Sequence, residues 1–375
     1  MGWSRLLCLT LSLSHRGKGK ALPSVLLRSL FLVACLTAQA FPQSAERQET
    51  LNSLTAVAGI KVGHYTLTER PTGCTVVLVE AGAVGGVDVR GSSPGTRETD
   101  LLNPVNKIEQ VHAIVLSGGS AFGLDTASGV MRYLEEKSIG LDVRVAKVPI
   151  VPAAILFDLG VGDAKIRPTA DCGYRAAIAA APDQVQEGNV GAGAGATVGK
   201  LAGPGRAMKA GIGTAAITLP DGLTVAALVA VNAVGDIIDP STGKVIAGMR
   251  TEDGKSLADA RTFLKTGALQ KARAGQNTTL GVVATNASLT KVQATKVAQM
   301  AHDGFARAIA PAHTPFDGDT IFALAIGSYQ GSVDLLTVGA LAADVMAAAI
   351  VRAAHQATGI PGYPAARDLQ GLPPP

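Results

Sequence analysis

Asn277-Thr278-Thr279-Leu280-Gly281-Val282-Val283-Ala284-Thr285-Asn286 reads as a strand that begins abruptly. Upstream, the run from Arg250 to Gln276 is polar. From Thr278 onward the β-branched residues alternate as a strand entering a core requires. The change falls at one peptide bond, Asn277–Thr278. Were that bond cut, Thr278 would start a new polypeptide, with a hydroxyl and a free α-amine on one residue. The amine could then take the proton of its own hydroxyl and activate it as a nucleophile. An unperturbed α-amine has a pKa of about 7.7–8.0, close to the pH at which a general base works best. An Asn–Thr junction before a strand is also an ordinary loop end, so the rest of the chain has to decide.

The chain has 375 residues, enough for one large domain or two ordinary ones. Hydrophobic residues make up 47%, glycine contributes 44 positions and aromatics only 4%, which describes a globular interior packed with small side chains. The formal charge of +4 is concentrated at one end. Residues 1–40 hold Arg5, Arg16, Lys18, Lys20 and Arg28 and no acid, which leaves 28 basic against 29 acidic residues. No basic face is left to argue for nucleic acid. The same 40 residues read as a secretory signal. Arg28 precedes the apolar run Leu30 to Leu36, and Ala38-Gln39-Ala40 supplies a small-residue cleavage site. The apolar run is too short to span a bilayer. Export, to a periplasm or beyond, is the expectation, with a single domain over residues 41–375.

Past the signal only Cys74 and Cys172 remain, as buried thiols or as one structural disulfide in an oxidising compartment. The histidines show no metal-ligand spacing, and nothing calls for a metal or a cofactor. Strands are expected over 55–65, 74–80, 111–116, 148–159, 208–219, 223–232, 278–285 and 321–326. Helices are expected after Gly123 and over 171–181, 289–310 and 333–354. Residues 81–100 look like a long Gly-rich loop packed against the body, and 359–375 like a loose tail. Apolar strands with two long helices late in the chain imply an α/β layered domain.

Several local motifs compete for the chemistry. Gly191 to Ala196 fits a loose dinucleotide pattern but lacks the leading strand and the following helix. It also fails as a phosphate loop, because Leu201 stands where Ser or Thr should follow Lys200. Ser120, in Gly118-Gly119-Ser120-Ala121-Phe122-Gly123, nearly forms a nucleophile elbow, with His302 and His313 downstream, which keeps a Ser-dependent α/β-hydrolase open as an alternative. A non-catalytic small-molecule binding module built on the glycine loops is a third reading. Asn232 ends an apolar strand, where its amide could meet a developing oxyanion or simply cap the strand. Asp317 and Asp319 are close enough in sequence to perturb each other or a neighbouring amine.

Taken together the blocks carry a family likeness. VGGVDVRGSSPGTRETDLL (84–102), VHAIVLSGGSAFGLDTASGVMRYLEE (111–136), VPIVPAAILFDL (148–159), VGAGAGATVGK (190–200), AGIGTA (210–215), ALVAVNAVGDIID (227–239), the stretch 277–309 and HTPFDGDTIFALAIG (313–327) occur in that order. From Ala58 to Gly327 the chain resembles the DmpA/BapA-type self-processing aminopeptidases. The resemblance implies an αββα sandwich like that of N-terminal-nucleophile hydrolases, with different connectivity. It implies a precursor cut between Asn277 and Thr278 into chains 41–277 and 278–375. It assigns Thr278 as nucleophile and Asn232 as the oxyanion-side amide. Lys200 matches a lysine near the nucleophile in the nylon-oligomer branch, and Asp317 and Asp319 match that branch's acidic pair. Small peptides or amides are the implied substrates, and relatives form tetramers or larger assemblies. Where some members place a Tyr hydroxyl at the site, this chain has Phe157.

Overall fold

The computed structural model describes residues 51–267 and 277–370. The expected signal segment, and the last part of the polar run before Asn277, lie outside them. The described residues cluster as one compact unit.

The main elements are β1 (Lys61–Thr66), β2 (Gly73–Val89), β3 (Thr96–Arg97), β4 (Gln110–Ser117), α1 (Thr126–Glu136), β5 (Ala153–Ile155), α2 (Ala170–Ile178), β6 (Ile212–Thr218), β7 (Thr224–Asn232), β8 (Thr278–Thr285), α3 (Lys291–Ala308), β9 (Thr320–Ala325) and α4 (Leu335–Gln356). The strands form one nine-stranded sheet in the order β6-β7-β8-β9-β2-β4-β5-β3, with β1 also paired to β2. Only β8–β9 and β4–β5 run parallel.

β2 turns this sheet into a sandwich. Its first half pairs with β1 and β4, and its second half pairs with β9. The register against β4 shifts between Leu78 and Ala83, an irregularity of the kind that bends a strand. The two halves of the sheet then face each other. Val77, Val79, Ile114 and Leu116 from one half share a core with Leu228, Leu280, Val282 and Phe322 from the other.

Because strand side chains alternate, the neighbouring positions point outward. Val76, Leu78 and Val115 meet Val130 and Leu134 of α1 and Ala176 of α2. Val229, Val283 and Ile321 meet Val297 and Phe305 of α3 and Val338, Met346 and Ile350 of α4. Each fully buried Val, Leu or Phe stabilises by about 1.5–3 kcal/mol, so the layer order follows from the period-two pattern. The result is the expected helix–sheet–sheet–helix arrangement.

Local signals start the two late helices. Thr290 and Gln293 form a reciprocal capping box ahead of α3. The Asp334 carboxylate accepts the Leu336 and Thr337 N–H groups at the start of α4. α4 is apolar and long enough to cross a membrane by length and composition, but half of that apolar window is buried against the sheet, as a core helix would be. A disulfide joins Cys74 of β2 to Cys172 of α2, with Cα atoms 6.2 Å apart.

Three expectations need correction. Residues 81–89 continue β2 and are not loop, because glycine there lets a helix approach: a Cβ at Gly86 would lie 2.4 Å from the Thr295 nitrogen of α3. The apolar stretch 148–159 yields only the three-residue β5. The tail is packed through residue 370, with the Lys209 N–H donating to Pro364 O and Arg367 Nε to Ala357 O. Pro and Gly there rule out a long helix without ruling out contact.

Candidate active site

Thr278 is the first residue of β8 and faces Asn232, the last residue of β7, in the antiparallel register. On the other side, Asp319 immediately precedes β9, whose Thr320 pairs with Leu280. Three adjacent strands therefore bring Asn232, Thr278 and the 317–319 turn to one end of the sheet.

Thr278 is buried. Its hydroxyl donates to the Asn277 carbonyl at 2.5 Å, and the Gly318 N–H donates to the same oxygen at 3.0 Å. A Cβ at Gly318 would lie 2.8 Å from the Thr278 hydroxyl and 2.6 Å from Ser93 O, so this turn has to carry glycine.

The carboxylates lie on either side of that glycine. Asp319 Oδ1 accepts the Thr279 N–H at 2.8 Å, and its Oδ2 accepts the His313 N–H at 3.1 Å and faces His313 Nδ1 at 2.9 Å. Asp317 accepts from the Val234 N–H at 3.3 Å and from the Thr314 N–H at 3.0 Å and hydroxyl. Burial, with the neighbouring Asp319 charge second, pushes the Asp317 carboxyl up to about 6. Residues 90–93 clamp the turn from outside. The Arg90 and Gly91 N–H groups donate to Asp319 O at 3.0 and 3.2 Å, and the Ser93 N–H to Asp317 O at 2.9 Å.

On the opposite flank, Lys200 Nζ donates to Asn232 Oδ1 at 2.7 Å and to Asn232 O at 3.2 Å. Burial pulls the Lys200 ammonium down to about 7, against the opposing pull of Asp317 and Asp158. The Thr197 N–H also donates to Asn232 Oδ1, at 3.0 Å. The Asn232 amide nitrogen donates to Phe157 O at 2.9 Å, and not to the Asn277 carbonyl. Phe157 thus enters through its backbone oxygen, which any residue would supply.

The sequence reading missed what holds that oxygen in place. Asp158 is buried and paired with Arg70 at 2.6 Å, and it also accepts the Thr72 hydroxyl at 2.5 Å and the Gly119 N–H at 2.9 Å. Arg70 further donates to Val161 O at 2.6 Å and Ile166 O at 2.7 Å, which fixes the segment after Phe157. Isolated charges such as Arg70 and Asp158 read as solvated, and no spacing rule joins positions so far apart.

The competing motifs fare differently. The N–H groups of Gly193, Ala194 and Ala196 are spent within their own buried loop, on Val190, Gly191 and Gly193 carbonyls, so they do not cradle a phosphate. Ser120 does sit at φ 55, after a strand, as a nucleophile elbow would. However, the hydrogen bonds of the His302 and His313 rings run to Asp88 and Asp319, and among the described residues none joins either ring to Ser120. Among the described residues no three His, Cys, Asp or Glu gather to hold a metal ion.

The sequence profile described as peptidase family S58 matches residues 52–367. The chain belongs to peptidase family S58. This is the DmpA family that the sequence blocks resemble, and membership makes the chain a hydrolase acting on amide bonds.

An uncharacterized aminopeptidase of Mycobacterium tuberculosis is 44% identical over 347 residues, covering 85% of this chain and 98% of that one. A 6-aminohexanoate-oligomer endohydrolase of Paenarthrobacter ureafaciens is 32% identical over 319 residues, covering 79% and 84%. Among solved structures, the L-aminopeptidase D-Ala-esterase/amidase of Ochrobactrum anthropi superposes with a TM-score of 0.63 at 20% identity, covering 85% of this chain and 92% of that one. It is described as a variant of the Ntn hydrolase fold, which is the fold of this S58 member.

Proposed function

We propose that this S58 hydrolase cuts itself between Asn277 and Thr278 and then uses Thr278 to hydrolyse amide bonds of N-terminal amino acids, small peptides or amides. One observation carries the reading: two donors, the Thr278 hydroxyl and the Gly318 N–H, converge on the Asn277 carbonyl oxygen. Thr278 Oγ attacks the Asn277 carbonyl carbon, and the Gly318 N–H stabilises the oxyanion that forms. The C–N bond breaks, the hydroxyl proton ends on the Thr278 nitrogen, and the acyl group rests on Oγ as an ester. Water then releases the Asn277 carboxylate and a free N-terminal threonine.

In the second reaction the Thr278 α-amine takes the Oγ proton as Oγ attacks a substrate amide. The leaving amine departs with that proton, and water hydrolyses the acyl-enzyme. Lys200, drawn down to about 7, is about half-charged near neutral pH, and that charge disfavours the protonated form of a nearby amine, leaving it free to act as a base. Asp317 and Asp319 hold the start of β8. Asn232 is the amide available to a substrate oxyanion, once it exchanges Phe157 O for the substrate.

The names of the relatives, aminopeptidase and 6-aminohexanoate-oligomer endohydrolase, support amides bearing a free amino end as the substrate class. The Cys74–Cys172 disulfide supports export to an oxidising compartment such as the periplasm. Assembly of the cut chains into a tetramer or larger oligomer belongs to the same reading.

A denaturing gel tests the first step. The parent should give a piece of about 10 kDa from residues 278–375 and one of about 24 kDa from residues 41–277. Thr278→Ala should stay whole and inactive. An active parent that runs as one uncut chain refutes the assignment.

A further inference from the structure

His313 has no part in the reaction just described, yet it makes two of the three contacts that hold the Asp319 carboxylate. Its main-chain N–H and its Nδ1 both meet Asp319 Oδ2, at 3.1 and 2.9 Å. A carboxylate oxygen can only accept, so Nδ1 must carry a proton in this contact. Among the described residues the buried Nε2 meets no acceptor, so a proton there would go unpaired, which favours the Nδ1–H tautomer.

The ring itself is held on two sides. It stacks on Phe305 with centroids 5.7 Å apart, and meets the edge of His302 at 4.7 Å. His302 Nε2 is engaged by Asp88 O at 3.1 Å, and burial holds this imidazole down at about 4, so it is neutral beside His313. The backbone at His313 has φ 54, a conformation that few side chains tolerate.

The terminal torsion of an aspartate is broad and roughly two-fold, so its carboxylate plane is set by its hydrogen-bond donors. With Oδ2 pinned by His313, Oδ1 is aimed at the Thr279 N–H, one residue from the nucleophile. We propose that His313 is a positioning residue: as its Nδ1–H tautomer it fixes the plane of Asp319, and through Thr279 the placement of Thr278. The proposal builds on the Thr278 reading.

Two variants suited to positive φ test it. His313→Gly removes the imidazole donor, and His313→Asn supplies a short amide donor in its place. In the cut enzyme, kcat for an aminoacyl amide should fall by up to about 10²-fold in His313→Gly with KM unchanged, and His313→Asn should recover most of it. A His313→Gly enzyme within twofold of the parent overturns the proposal. So does equal loss in both variants, which would mark a packing role.

A second readout does not depend on turnover. In uncut Thr278→Ala protein, nitrogen NMR of the imidazoles should show His313 protonated at Nδ1 and bare at Nε2, with that signature lost in Asp319→Asn. The opposite tautomer overturns the proposal. An active but uncut parent would defeat the Thr278 reading while leaving this tautomer result standing, so the two failures can be told apart.

Discussion

The two flanks of Thr278 are built differently. On one, a single lysine amine reaches two oxygens of Asn232, and the Asn232 amide leans on a carbonyl whose segment is fixed by the buried Arg70–Asp158 pair. On the other, Asp317 and Asp319 are held largely by backbone N–H groups and one imidazole, on a turn clamped by residues 90–93. The first flank depends on side chains and on charges kept out of water. The second depends mostly on main-chain geometry that a point substitution seldom removes, with the His313 imidazole and the Thr314 hydroxyl as its side-chain supports. Substitutions and pH should therefore act most strongly through the Lys200–Asn232 flank.

The strongest challenge to that contrast is Arg70→Met. It leaves the Asp158 charge buried and unpaired, and should cost about 3–5 kcal/mol in denaturant unfolding. A loss below about 1 kcal/mol would show that the flank does not rest on this pair.

Next comes Asn232→Ala. Amide hydrolysis should fall by about 10²–10³-fold, while self-cleavage, served by the Gly318 N–H, should slow less. Timed gels alongside a substrate assay separate the two. Undiminished hydrolysis would remove Asn232 from the site.

The gentlest probe is pH. Lys200 titrates around 7, so a limb of the pH–rate profile of amide hydrolysis should run over about pH 6–8 and level off beyond it, and Lys200→Met should flatten that limb. Stability has opposite signs on the two flanks. Lys200 lies below its usual 10.5, so between about 7 and 10.5 the unfolded chain binds a proton that the folded chain does not, and stability rises with pH. Asp317 lies above its usual 3.8, so between about 4 and 6 the folded chain holds the extra proton, and stability falls as pH rises. Urea midpoints across both windows should show one slope reduced in Lys200→Met and the other in Asp317→Asn, with Lys209 and Asp236, shifted in the same directions, sustaining the remainder.

Much of the layered fold was legible because the nearly unbroken small and apolar runs of β7, β8 and β9 are a local pattern that burial on both faces enforces. The boundary at Asn277–Thr278 was legible for the same reason, since a polar run meets a β-branched one there. Helix starts were less so: the capping box at Thr290 is a local signal, and it places α3 two residues later than apolar periodicity alone suggested. β2 was read short because Gly85 and Gly86 look like loop to any propensity rule. Only the packing of α3 onto them explains why a strand would carry glycine there.

The sequence by itself determined which residues carry reactive groups and which strands bear them, because side-chain chemistry and a two-residue period are properties of short stretches. Only the tertiary structure decided that Gly318 offers its N–H to the Asn277 carbonyl, that Asn232 turns to Phe157, and that Arg70 and His313 stand behind the site. Those contacts join segments tens of residues apart or, for His313 and Asp319, rest on a left-handed turn, and neither leaves a mark in local composition.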